Sequence, residues 1–112
     1  MSIGPITVNI RQNPKTGECC SIDMAALDGL EAGDQVTWAV SDTVDCSFKV
    51  TFADSQVFGE ESFTLDVGAY ATKTVASGLE PEMTQDYVIF CLATGMKVNN
   101  DDGISPTIII GG

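Results

Sequence analysis

The residues of this chain with most chemical potential are four cysteines, Cys19, Cys20, Cys46 and Cys91, a methionine soon after the last, Met96, and sixteen carboxylates. There is no histidine. Thiolates and thioethers are soft ligands, and copper(I) accepts two or three of them, so Cys46, Cys91 and Met96 form a candidate soft-metal set. Four cysteines allow three full disulfide pairings, and none here is spaced as C-x-x-C. Nucleophilic catalysis lacks its usual activator, because a serine or cysteine nucleophile is normally paired with an imidazole. Glu60-Glu61, or Glu80 with Glu82, could in principle supply an acid and a base, but they lie in turn-like stretches where solvated surface is the default. Asn99-Asn-Asp-Asp-Gly103 invites comparison with a calcium loop. That pattern fails at Val98 and Ile109, so a turn built on Asn, Asp and Gly is the expected role and a weak cation site the alternative. No phosphate-binding, dinucleotide-binding or zinc motif occurs, and the expectation is a non-enzymatic protein with no cofactor.

Charge narrows the partners further. Sixteen acidic against five basic residues give a formal net charge of −11. A phosphate backbone would be repelled, which argues against nucleic acid, and an anionic membrane surface is disfavoured for the same reason. Met1 to Pro5 has no basic n-region or apolar h-region, and no later run is long enough to span a bilayer, so the expectation is a cytoplasmic chain without membrane insertion. Export after removal of a signal peptide is the alternative.

The elements that must position these groups read as strands. Apolar residues alternate in Ile6 to Ile10, Val36 to Val40, Cys46 to Phe52 and Phe63 to Val67, the period of half-buried strands. Cys20, Ile22 and Met24 alternate too, which predicts opposite faces for Cys19 and Cys20. Tyr87 to Leu92 and Thr107 to Ile110 are continuous apolar runs, suited to central strands or to the core of a sandwich, and Tyr70 to Ala76 is a weaker strand. Met24 to Leu30 is the one helix-compatible segment. Turn signals punctuate the rest, from Asn13-Pro14 to Asp102-Gly103. Trp38 shares the phase of Val36 and Val40 and is expected in the core, leaving Phe58 as the best candidate for an exposed aromatic platform. A single domain spanning residues 1–112, an antiparallel β-sandwich of about eight strands, follows from this pattern.

Three stretches in order resemble cupredoxin-like domains, the fold of plastocyanin and azurin. Glu31 to Val40, "EAGDQVTWAV", resembles their Pro-Gly-Asp strand. Phe48 to Phe52, "FKVTF", falls where they have a histidine and an alternating strand, and Tyr87 to Cys91, "YVIFC", resembles the strand that delivers their thiolate. Ser105 to Ile110 is similar to their closing strand. The resemblance covers roughly residues 31–110 and implies a Greek-key topology. It also frames Tyr87 as a tyrosine corner, whose phenol bonds back to loop backbone, with a plain core tyrosine as the equal alternative.

The same resemblance excludes the family's metal. Type 1 copper needs two imidazoles beside the thiolate, and Phe48 stands where the first would be. Cys46 lies two residues before Phe48 and could approach Cys91 at one end of the sandwich. Three outcomes stay open for that pair: a copper(I) site completed by Met96, a Cys46–Cys91 disulfide in an oxidising compartment, or two buried unreactive thiols, the default for free cysteine. The expected function is a copper-free binding or assembly module for an unknown protein partner. It would include self-association through edge strands, with Ile3 to Ile10 and Thr107 to Ile110 as pairing elements.

Overall fold

The computed structural model describes residues 6–17 and 20–111. Among them are nine strands and no helix: β1 (Ile6–Arg11), β2 (Ser21–Ile22), β3 (Ala26–Leu30), β4 (Gln35–Val40), β5 (Phe48–Phe52), β6 (Ser62–Leu65), β7 (Tyr70–Thr74), β8 (Thr84–Cys91) and β9 (Thr107–Ile110). They form two sheets, ordered β2-β1-β4-β7 and β3-β9-β8-β5-β6. The chain passes repeatedly from one sheet to the other. Alternating Val, Ile and Thr suit such strands because β-branched side chains pack well on a pleated, half-buried surface.

The expected antiparallel arrangement is corrected to a mixed one. β1 pairs parallel with β4, and β3 pairs parallel with β9; the remaining pairings are antiparallel. The helix-compatible stretch is corrected as well. Leu27 and Leu30 are both buried although three residues apart, a spacing that mimics a helix face. The register of β3 against β9 shifts between them, and Gly29 sits there at φ 75°. A bulge inserts one residue and so converts a period of two into a spacing of three.

The inner faces of the two sheets make one core. Val8, Ile10, Val36 and Trp38 of the first sheet meet Phe48, Val50, Phe52, Tyr87, Ile89 and Ile108 of the second. Trp38 is at its centre, in edge contact with Phe63, Phe58, Phe52 and Tyr87 at centroid distances of 5.4, 5.5, 5.7 and 5.8 Å. Each such pair adds about 0.5–1.5 kcal/mol beyond area burial. Phe58 is therefore corrected from a surface platform to a partly buried member of the aromatic cluster. The connection that carries it is drawn inward by buried Val57, whose carbonyl accepts the Ala76 N–H at 2.7 Å.

Both proposed pairing elements are interior. β9 lies between β3 and β8, and β1 lies between β2 and β4, so neither offers a whole free edge; Ile3 to Pro5 fall outside the described residues. The sheet edges are instead β2 and β7 in one sheet and β3 and β6 in the other.

Candidate functional site

The register places five strand ends together. β4 finishes at Val40 and connects through residues 41–47 to β5; β6 leads through residues 66–69 into β7; β8 finishes at Cys91, opposite Phe48. Cys46 and Cys91 meet at this end of the sandwich. The Leu92 N–H donates to the Ser47 carbonyl at 2.9 Å, which holds the two segments at cross-strand distance.

The register brings the two thiols near each other, and neither is in a disulfide. Cys91 is buried and Cys46 half-buried. The turn after Cys91 is tight: the Gly95 N–H reaches the Cys91 carbonyl at 2.7 Å, and the Cys91 N–H reaches the Met96 carbonyl at 2.9 Å. It folds the Thr94 hydroxyl and the Thr94 and Ala93 N–H groups back towards the Cys91 side chain. Burial pushes that thiol up, but these groups and Cys46 outweigh it, and it lies below the ordinary thiol range. The Cys46 thiol is pushed the other way, first by neighbouring Cys91 and then by burial and the nearby Asp45.

Of the three candidate soft ligands, the structure brings two together. Met96 is 68 % exposed, and its backbone, not its thioether, faces the pair through the bond to Cys91. Thr94 and Ala93 were not singled out from the sequence. The signal that could have found them is Thr94-Gly95 so soon after Cys91, since glycine at positive φ, here 71°, permits a turn tight enough to fold amides back towards the sulfur. Cys20 is half-buried and disulfide-bonded, and the orientation expected for Cys19 lies outside the described residues.

Four of the large apolar side chains that reach solvent lie at this end, and Ile104, after the Asn99–Gly103 turn, is another. Val67 is 46 %, Tyr70 74 %, Leu92 52 % and Met96 68 % exposed, and exposed Asp42, Asp45 and Asp66 stand among them. An open cleft of about 420 Å³ adjoins Met96, between Asn13, Ser21 and the Asn99–Gly103 turn.

The carboxylates of that turn are engaged. Asp101 accepts both Arg11 guanidinium nitrogens, at 2.7 and 2.8 Å, and the Ser21 hydroxyl at 2.6 Å. Arg11 and Ser21 hold its carboxyl down at about 2. Asp102 pairs with Lys15, and Asn100 Oδ1 accepts the Asp102 and Ile104 N–H groups, so the Asn and Asp side chains shape a turn. Glu60 pairs with Lys73 at 2.6 Å, while Glu61, Glu80 and Glu82 are exposed. Among the described residues no three or more histidine, cysteine, aspartate or glutamate side chains cluster as a metal site would require.

Tyr87 and Trp38 form a polar contact inside the core. The indole N–H donates to the phenol oxygen at 3.3 Å, across the two sheets, so the phenol is bonded within the core and not to a loop carbonyl. Burial pushes the phenol up to about 12, against the opposing effect of the Trp38 bond. No protein-family model matches the chain, and no curated relative does. No described helix is long and apolar enough to cross a membrane.

Proposed function

We propose that this chain is a non-enzymatic protein-binding module, built on a cupredoxin-like Greek-key sandwich without type 1 copper, that docks through the end carrying Tyr70, Leu92 and Met96. One observation carries the reading: Val67, Tyr70, Leu92 and Met96 are the large apolar side chains left most exposed at one end, and carboxylates stand around them. Tyr and Met are enriched at interface centres, whereas charge belongs to the rim. A partner with an apolar centre and basic surroundings fits, and opposite charge would speed its encounter. Self-association remains a version of the proposal, through the edges β7 or β6, because unpaired strand edges accept a further strand.

Affinity capture from native extract, followed by rebinding of the purified partner, tests this against a Tyr70→Ser, Leu92→Ser double variant. A partner that rebinds wild type, weakens with salt and is lost on the variant supports the module. Equal capture by both proteins, with wild type sedimenting as a monomer at high concentration, removes it.

A second reading is favoured by the closeness of the two thiols. Cys46 and Cys91 suit a two-coordinate copper(I) ion, for which two thiolates suffice, and Met96 would have to swing in to add a third donor. Type 1 copper does not fit this donor set, which contains no imidazole. Anaerobic competition for copper(I) with a chromophoric chelator decides it: uptake unchanged in both Cys91→Ser and Met96→Leu would end the metal reading.

A further inference from the structure

Beneath the docking end, the two sulfurs support a chemistry that needs neither a docked protein nor a metal. Cys91 heads a tight turn, closed by the Gly95 N–H on its carbonyl and by its own N–H on the Met96 carbonyl, with Cys46 on the facing segment. Thr94 is fixed in place, since its Oγ1 accepts the Met96 N–H at 3.2 Å. Thiol–disulfide exchange proceeds by attack of a thiolate on a disulfide sulfur. Cys46, the neighbour of Cys91, is a second free thiol, held close by the pairing of Phe48 with Cys91 and of Leu92 with Ser47. Cys91 is 6 % exposed and Cys46 half-buried beneath a turn exposed from Leu92 to Met96, so a small reagent reaches Cys91 by displacing that short turn.

We propose that Cys46 and Cys91 are a redox-active dithiol that closes to an intramolecular disulfide by exchange with a small disulfide oxidant of the glutathione class. In the first step the Cys91 thiolate attacks one sulfur of the oxidant, and that disulfide bond breaks with its electron pair leaving on the other sulfur, which takes up a proton. Cys91 is now held in a mixed disulfide. Cys46 then loses its proton and attacks the Cys91 sulfur, forming the Cys46–Cys91 bond and expelling the second small thiolate, which is protonated in turn. The protein dithiol is oxidised by two electrons, and one oxidant molecule is reduced to two thiols.

The experiment equilibrates the folded full-length chain, isolated without reductant, with oxidised and reduced glutathione at neutral pH and maps cysteine-containing peptides by mass spectrometry. The expected result is a Cys46–Cys91 linked peptide pair, lighter by two hydrogens and reversed by dithiothreitol, resolved from the separate Cys20 linkage. Cys46→Ser should stop at a glutathione adduct on Cys91. The proposal is overturned if wild type stays folded by circular dichroism through the whole buffer series without forming the link. It is equally overturned if the link appears only in denaturant, or if Cys91→Ser is modified at Cys46 as fast as wild type is oxidised. A chain that captures no partner can still form this bond, so the two proposals fail separately.

Discussion

The Trp38–Tyr87 bond and the Cys46–Cys91 pair differ in what surrounds them. The Trp38–Tyr87 bond spans the middle of the core, where both side chains are almost fully buried and aromatic rings enclose them. The Cys46–Cys91 pair sits at the end of the same core, under a turn exposed from Leu92 to Met96. In the first, enclosure makes the bond structural: neither group can be left unpaired without paying for its lost hydration. In the second, a half-buried Cys46 and an exposed turn put a reagent within one loop displacement of the sulfurs. Packing against the aromatic cluster, more than hydrogen bonding, sets how tightly each region resists change.

Substitutions should separate the regions by size of effect. Trp38→Ala empties the centre of the aromatic cluster and is expected to cost about 3–5 kcal/mol in denaturant unfolding. Tyr87→Phe keeps the ring but strands the indole N–H, at about 1–3 kcal/mol. It should also alter the alkaline limb. The phenol is raised from the ordinary 10 to about 12, so its contribution is complete below pH 10 and is lost as pH rises towards 12. That limb should flatten in Tyr87→Phe, and an unchanged limb would show that the phenol is not held in the core.

Cys91→Ala removes one sulfur from the end of the core and should cost about 1 kcal/mol. If it destabilised the fold as much as Trp38→Ala, the contrast between a structural centre and an accessible end would collapse. The smallest effect is expected outside both regions. Asp101 is lowered from 3.8 to about 2 by Arg11 and Ser21, so it favours the fold above about pH 4, and that contribution is lost as pH falls to 2. Acid titration of Asp101→Asn should show a shallower loss of stability across that window, with the Trp38 and Cys91 regions unaffected.

Some of this architecture was legible because the information is local. The alternation in Ile6 to Ile10, Val36 to Val40 and Phe48 to Phe52 has the period of the pleat, and β1, β4 and β5 follow it with their apolar residues inward. Ala26 to Leu30 was not legible, because the bulge at Gly29 gives Leu27 and Leu30 a helical spacing while both serve a strand. Phe58 misled for a related reason: its neighbours Ser55, Gln56 and Gly59 look like an exposed loop, and it is Val57 packing beneath the sheet that turns its ring towards Trp38.

The sequence by itself determined that the chain is all-β, that Trp38 is internal, and that no imidazole is present for a type 1 copper site, because periodicity and ligand type need no knowledge of distant contacts. Only the tertiary structure decided that β1 and β3 pair in parallel with β4 and β9, that Tyr87 bonds to Trp38, and that Cys46 lies near Cys91 while Met96 is exposed. These depend on segments tens of residues apart. Their closeness follows from which strands share a sheet and from how a five-residue turn folds its donors, and neither is written in the local pattern of residues.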